Sequence, residues 1–251
     1  MTLYLIGIGL ADEQDITVKG REAISSCQKV YLENYTSLLQ CTKEDLEKFY
    51  GKKITLATRE ISEQGAENIV EEARHTNIAF LVIGDALSAT THIELFRLAK
   101  EKNIKVEIIH NASILTAVGI TGLQLYKFGK TTSLPFADKV AGLESPYLII
   151  TENKERGLHT LCLLDIEAEQ QKFMTIPEAL EILENIEVKR KENVLHNSII
   201  IGCARLGSKS ALIKSGTLQQ VKNFNFGAQP HSLIIPGELH FVEEEMLKVW
   251  F

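Results

Sequence analysis

No apolar stretch in this chain of 251 residues approaches the ~18–20 continuous positions that a membrane-spanning helix requires. The longest candidate, Ile114 to Tyr126, is interrupted by Thr, Gly and Gln, so a soluble protein without membrane association is expected. The apolar start, Met1 to Leu10, has no Lys or Arg ahead of it, runs into Asp12 and Glu13 and lacks a small-residue cleavage pattern. The mature chain is therefore expected to begin at or near Met1. Cysteine is scarce as well. Cys27, Cys41, Cys162 and Cys203 include no Cys-x-x-Cys pair and are too few to staple a chain of this length, which points to a reducing cytoplasm. Positive charge is not in excess: 27 Lys and Arg against 33 Asp and Glu leave −6, so no direct nucleic-acid partner is expected. The seven histidines form no His-x-x-x-His pair and none stands at ligand spacing from a cysteine, so no metal is expected. Gly-x-Ser-x-Gly and the Walker phosphate loop are also missing, which leaves hydrolase and nucleoside-triphosphatase readings unsupported.

What is present is an α/β pattern, with 45% hydrophobic residues and enough length for one large core or two modest ones. Short runs rich in β-branched residues predict strands at Leu3 to Ile8, Lys29 to Leu32, Ile54 to Ala57, Ala79 to Ile83 and Lys105 to Ile109. Their near-continuous hydrophobicity suggests burial on both sheet faces. Helices are expected after Asp15 and Thr17, from Thr42 with Asp45 as its capping-box acid, from Ser62 through Glu72 to Arg74, and over Thr91 to Lys102. Beyond Asn111 the pattern changes. His159 to Leu164 and Ser198 to Ala204 read as strands separated by irregular connections, Ser145-Pro146 as an N-cap with an N1 proline, and Thr175-Ile176-Pro177-Glu178 as a Thr-x-x-Glu box. The expectation is an N-terminal α/β domain over residues 1–111 and a C-terminal α+β domain over 112–251. Cys162 and Cys203, each inside an apolar run, are expected to be packing residues.

Three polar loops follow predicted strands. Gly7-Ile8-Gly9-Leu10-Ala11-Asp12 begins like a dinucleotide fingerprint, but Asp12 replaces the third glycine. A carboxylate there would repel a pyrophosphate, and its Cβ would block close helix packing, which sets the nicotinamide reading aside. Gly84-Asp85-Ala86-Leu87-Ser88-Ala89-Thr90-Thr91-His92 gathers small and polar side chains at a strand end. Asp85 there is either a ligand contact or, like Thr90, the cap of the next helix; His92 is given no role. His110-Asn111-Ala112-Ser113-Ile114 is the third. Because the carboxyl ends of parallel strands point the same way, these loops converge on one cleft. His231, before the strand-like Ser232 to Ile235, is either a contributor to that cleft or a turn-stabilising residue.

Taken together, Leu3 to Leu10, Asp15-Ile16-Thr17, Gly84-Asp85, Ala89-Thr90-Thr91-His92 and Ala117 to Leu123 resemble the diphthine synthase family. The likeness continues through Tyr126 to Lys130, Glu155 to Thr160, Leu164-Asp165-Ile166, Pro230-His231, Ile235-Pro236-Gly237 and Leu239-His240, covering nearly the whole chain. Ala86 stands where that family often has proline, and Thr131 to Ser145 is short relative to it. The resemblance implies a tetrapyrrole-methylase-like methyltransferase with two α/β domains and S-adenosylmethionine held in the cleft between them, S-adenosylhomocysteine being the product. It implies repeated methylation of the amino group of a 3-amino-3-carboxypropyl-histidine on translation elongation factor 2, in diphthamide biosynthesis, by a homodimer. Carried over residue by residue, cofactor contacts fall on Leu10, Asp85, Ser88, Ser113, Ile114, Leu164, Leu206 and His231. No catalytic base is assigned, because the sulfonium already activates the methyl and alignment is the main task. A methylase of a tetrapyrrole or other small acceptor, or a nonenzymatic binding protein, stands as the alternative on the same fold.

Overall fold

A computed structural model describes residues 1–35, 37–58, 65–139 and 144–251, apart from the side chain of Glu169. Two compact units result, Met1–Ala117 and Val118–Phe251.

In the first unit the strands are β1 (Thr2–Gly7), β2 (Lys29–Glu33), β3 (Thr55–Ala57), β4 (Ile78–Val82) and β5 (Lys105–Ile109). They form one parallel sheet in the order β3-β2-β4-β1-β5. Side chains alternate across such a sheet, and the two apolar clusters follow that period. Leu3, Leu5, Ile78, Phe80 and Val82 face α3 (Ala66–Glu72) and α4 (Ile93–Glu101). Ile6, Ile8, Val30, Leu32, Ala79 and Leu81 face α1 (Val18–Ser25) and α2 (Lys43–Tyr50). Each fully buried Leu, Ile or Phe contributes about 1.5–3 kcal/mol relative to exposure. Burial on both faces holds for β1 and β4 at the centre, whereas Thr55 and Leu56 on the edge strand β3 are exposed.

Local chemistry sets the helix ends. Thr17 Oγ1 accepts from Gly20 N at 3.0 Å, and Thr42 with Asp45 forms the expected capping box. The fourth helix begins at Ile93 rather than Thr91, with His92 as an N-cap that makes no side-chain cap bond. The expected start of the third helix at Ser62 lies outside the described residues. Asn111 Nδ2, inside the expected bounds of 1–111, donates to Gly7 O and Asp15 O, both at 3.0 Å, and the compact unit runs on to Ala117, taking in the short α5 (Ile114–Ala117).

The second unit has a mixed sheet in the order β11-β10-β12-β7-β6. It comprises β6 (Thr132–Leu134), β7 (Thr160–Leu164), β10 (Ile200–Ala204), β11 (Leu212–Gly216) and β12 (His231–Ile235); β8 (Ile166–Glu167) and β9 (Lys172–Phe173) form a separate small ribbon. Only the β6–β7 pair is parallel among the pairings of the large sheet. Its helices are α6 (Ser145–Glu155), α7 (Ile176–Arg190), α8 (Leu218–Lys222) and α9 (Phe241–Leu247). Ile176, Ala179, Leu180, Leu183 and Ile186 form the buried stripe of α7 and pack with Tyr147, Cys162, Ile200, Val221 and Leu233. The Thr175–Glu178 box and Pro177 start α7 as expected. Ser145 is not a cap: it is the first helical residue, Glu144 takes the N-cap position, and no side chain caps the end. Strands β6 and β11 were not expected; each is short or carries polar residues such as Ser133, Lys214 and Ser215, which masks the strand period.

Candidate active site

The adjacency β4-β1-β5, which runs from the centre of the first sheet to its β5 edge, puts the loops after these three strands side by side at their carboxyl ends. Gly9 and Gly84 clasp each other there, Gly84 N donating to Gly9 O at 2.7 Å and Gly9 N to Gly84 O at 3.1 Å. Both have positive φ, +83° and +85°, which only glycine adopts without steric cost. At Gly84 an added Cβ would lie 3.7 Å from Leu10 and 3.8 Å from Ala112 and Ser113, so the bare backbone lines a cradle flanked by those residues.

Two carboxylates organise these loops, Asp15 within the first and Asp85 between the second and third. Asp15 Oδ2 accepts from Leu10 N at 2.9 Å and Ala11 N at 2.7 Å. These are the backbone donors that a pyrophosphate would need, so the exclusion of a dinucleotide rests on Asp15; Asp12 instead accepts from Gln14 N in the adjoining turn. Asp85, 5% exposed, bridges the second and third loops. Its Oδ1 accepts from Leu87 N at 3.0 Å and Ser88 Oγ at 2.9 Å, and its Oδ2 from His110 Nδ1 at 2.8 Å and Asn111 N at 3.0 Å. Burial alone would raise its carboxyl, but these four donors outweigh burial and hold it below the ordinary aspartate value. Asp85 caps no helix, since α4 starts eight residues later at Ile93. Leu10, Asp85, Ser88, Ser113 and Ile114 are thus brought to one edge of the first sheet.

His92 is buried among the same elements, its Nε2 3.1 Å from Tyr35 OH and its Nδ1 bonded to Thr90 Oγ1. Burial pushes it down to about 4, so it is a neutral core histidine. Cys162 and Cys203 are buried thiols that burial pushes up to about 12, which makes them unreactive packing residues.

In the second unit, Leu164 ends β7, Leu206 follows β10 and His231 opens β12. The antiparallel registers Ala204↔His231 and Ser232↔Leu163 bring all three to one end of that sheet. His231 Nε2 donates to Ala228 O at 3.1 Å, as a turn-stabilising histidine would, but its Nδ1 is buried with no partner. Such an atom costs free energy unless a ligand satisfies it. Sequence reasoning passed over Asp15 as an organiser and Arg205 altogether; the one signal for Arg205 was a charge interrupting the apolar run Ile200 to Leu206.

The model of the family Tetrapyrrole (Corrin/Porphyrin) Methylases matches residues 2–222. A diphthine methyl ester synthase of Dictyostelium discoideum is 44% identical over 100% of this chain and 98% of that protein. The chain belongs to the diphthine synthases within the tetrapyrrole methylase family. A diphthine synthase of Methanocaldococcus jannaschii is 45% identical over 98% of this chain and 97% of its own. A crystal structure of diphthine synthase superposes with a TM-score of 0.90 at 34% identity, covering 100% of this chain and 96% of that one. The α/β reading and the tetrapyrrole-methylase fold therefore stand, and this diphthine synthase family member is a methyltransferase.

Proposed function

We infer that the protein is an S-adenosylmethionine-dependent methyltransferase that repeatedly methylates the amino group of 3-amino-3-carboxypropyl-histidine on elongation factor 2. The observation that carries this reading is likeness over essentially the full length to proteins named for diphthine or its methyl ester, in a eukaryote and an archaeon alike. Tetrapyrrole methylation rests only on the broader family description.

The residues present fit the methyl donor. Within the first unit the Gly84 cradle leaves room against the backbone; within the second, the orphaned His231 Nδ1 is an acceptor in want of a donor. Leu10, Ile114, Leu164 and Leu206 would cover apolar surfaces of the donor, while Ser88, Ser113, His231 and neighbouring backbone groups would orient it. Asp85 would act by shaping the loop, because all four acceptor positions of its carboxylate are taken. The donor's sulfonium supplies an already activated methyl group. This chain contributes orientation and exclusion of water. Asp85 directs both oxygens to internal donors, so it is not disposed to stabilise the acceptor as an ammonium ion, the form without a nucleophilic lone pair.

A homodimer in the cytoplasm is part of the same proposal. Exposed apolar side chains on the second unit, Tyr126, Phe241, Val249 and Phe251 among them, support a further protein contact; a concentration-independent monomer mass would count against it. Among the described residues no helix is long and apolar enough to cross a membrane.

The test is transfer of labelled methyl from S-adenosylmethionine to elongation factor 2 with and without the aminocarboxypropyl chain. Transfer is expected only to the modified factor, since an unmodified imidazole lacks the reach of the aliphatic amine. Mass spectrometry should show additions on nitrogen that stop when it becomes quaternary, and any further addition labile to mild base would lie on the carboxylate. Methylation of a tetrapyrrole in preference to the modified factor would overturn the acceptor assignment.

A further inference from the structure

Arg205 is 7% exposed and sits in the left-handed region, φ +51°, between β10 and Leu206. Its guanidinium makes no ion pair among the described residues and is satisfied by oxygen acceptors of two loops. Nη1 donates to Phe226 O at 2.8 Å and to Ala228 O; Nε donates to Ser210 O and Ser210 Oγ, both at 3.1 Å; Nη2 donates to Ser210 O at 2.9 Å. The backbone joins in, Arg205 N donating to Pro230 O at 2.8 Å. Such a planar fork fixes a loop as a single-point ammonium cannot.

The clamped turn leads directly into His231, and the two side chains share one acceptor, Ala228 O. A carbonyl oxygen only accepts, so the proton of a neutral imidazole must lie on Nε2. Nδ1 then carries a lone pair. It is buried and meets no donor within the chain. The Phe226 ring, 5.8 Å from the imidazole centroid and also held through its carbonyl by Arg205, restricts the ring further. Burial, with the Arg205 charge nearby, holds the imidazole below its ordinary value and favours the neutral form.

We propose that Arg205 is a positioning residue for cofactor binding: it clamps the 226–230 turn so that His231 is held as the Nε2–H tautomer, leaving Nδ1 as acceptor for an N–H or O–H group of the methyl donor. This rests on the reading that His231 contacts that donor. It adds a residue with no contact of its own, acting through the turn and the shared carbonyl.

The experiment has three parts. Nitrogen-15 NMR of the wild-type protein should show His231 protonated on Nε2 without ligand, with the Nδ1 resonance moving when S-adenosylhomocysteine is added; an Nδ1–H tautomer overturns the proposal. Calorimetric titration with S-adenosylhomocysteine should show about tenfold weaker binding for Arg205→Ala and an intermediate loss for Arg205→Lys, with kcat at saturating donor near wild type. Should Arg205→Ala not fold, Arg205→Lys and the wild-type spectrum still decide the matter. Among position-231 variants, His231→Asn places its amide near the Nδ1 position and should retain more affinity than His231→Gln or His231→Ala. Unchanged affinity in His231→Ala overturns the reading on which the proposal rests. Loss in His231→Ala with none in either folded Arg205 variant overturns the role of Arg205 alone.

Discussion

Asp85 shows how one side chain ties two loops together. A buried carboxylate is tolerated only when donors surround it, and Leu87, Ser88, His110 and Asn111 do so, tying the loop after β4 to the loop after β5. Asp85→Ala removes that tie and leaves backbone N–H groups of Leu87 and Asn111 without their acceptor. A stability loss on the order of 1–3 kcal/mol is expected, with weakened binding of S-adenosylhomocysteine. Denaturant unfolding and calorimetric titration on the same preparation separate the two effects; a folded variant with wild-type affinity would remove Asp85 from the cofactor loops. His92, by contrast, keeps both ring nitrogens engaged with Tyr35 and Thr90 inside the core, which accounts for its place without any catalytic part.

Among the elements, the C-terminal helix α9 is anchored by a charge network. Glu243, fully buried on it, accepts from His159 Nε2 at 2.9 Å, Lys127 Nζ at 2.7 Å, Gln124 N at 2.8 Å and His240 N at 2.8 Å. Burial would raise its carboxyl, but the donors prevail and hold it down to about 2, against 4.5 for the unperturbed group. A depressed carboxylate stabilises the fold at pH above its unfolded value and loses that contribution as pH falls through the folded one. For Glu243 the window runs from about pH 4.5 down to about 2, and the contribution lost is on the order of 3 kcal/mol. Glu243→Gln should be less stable at pH 7, and the difference from wild type should shrink as pH drops through that window. Urea unfolding across pH checks this; a constant difference from pH 7 to 3 would show that Glu243 is not the group responsible.

At the scale of the whole molecule, a ligand that binds only the folded state raises apparent stability by mass action. S-adenosylhomocysteine at a hundredfold excess over its Kd should add about 2.7 kcal/mol, visible as a rise of several degrees in apparent Tm. NAD should leave Tm unmoved, because Asp15 already occupies the backbone donors of the first glycine loop. A chelator is likewise expected to have no effect. A larger shift with NAD than with S-adenosylhomocysteine would reverse the reading of that loop.

The sequence by itself determined the parallel sheet of the first unit, the capping boxes at Thr42 and Thr175, and the three polar loops at strand ends. Each depends on local chemistry or on side-chain period, which neighbouring residues carry. Motif likeness across the chain made the methylase family legible as well. Only the tertiary structure decided that Asp15 rather than Asp12 fills the glycine loop, that Asp85 bridges loops instead of capping a helix, and that Arg205 clamps the turn before His231. Asn111 illustrates the reason. Its amide donates to carbonyls 96 and 104 residues earlier in the chain, and nothing near Asn111 encodes which backbone oxygens the packed sheet will place within 3.0 Å.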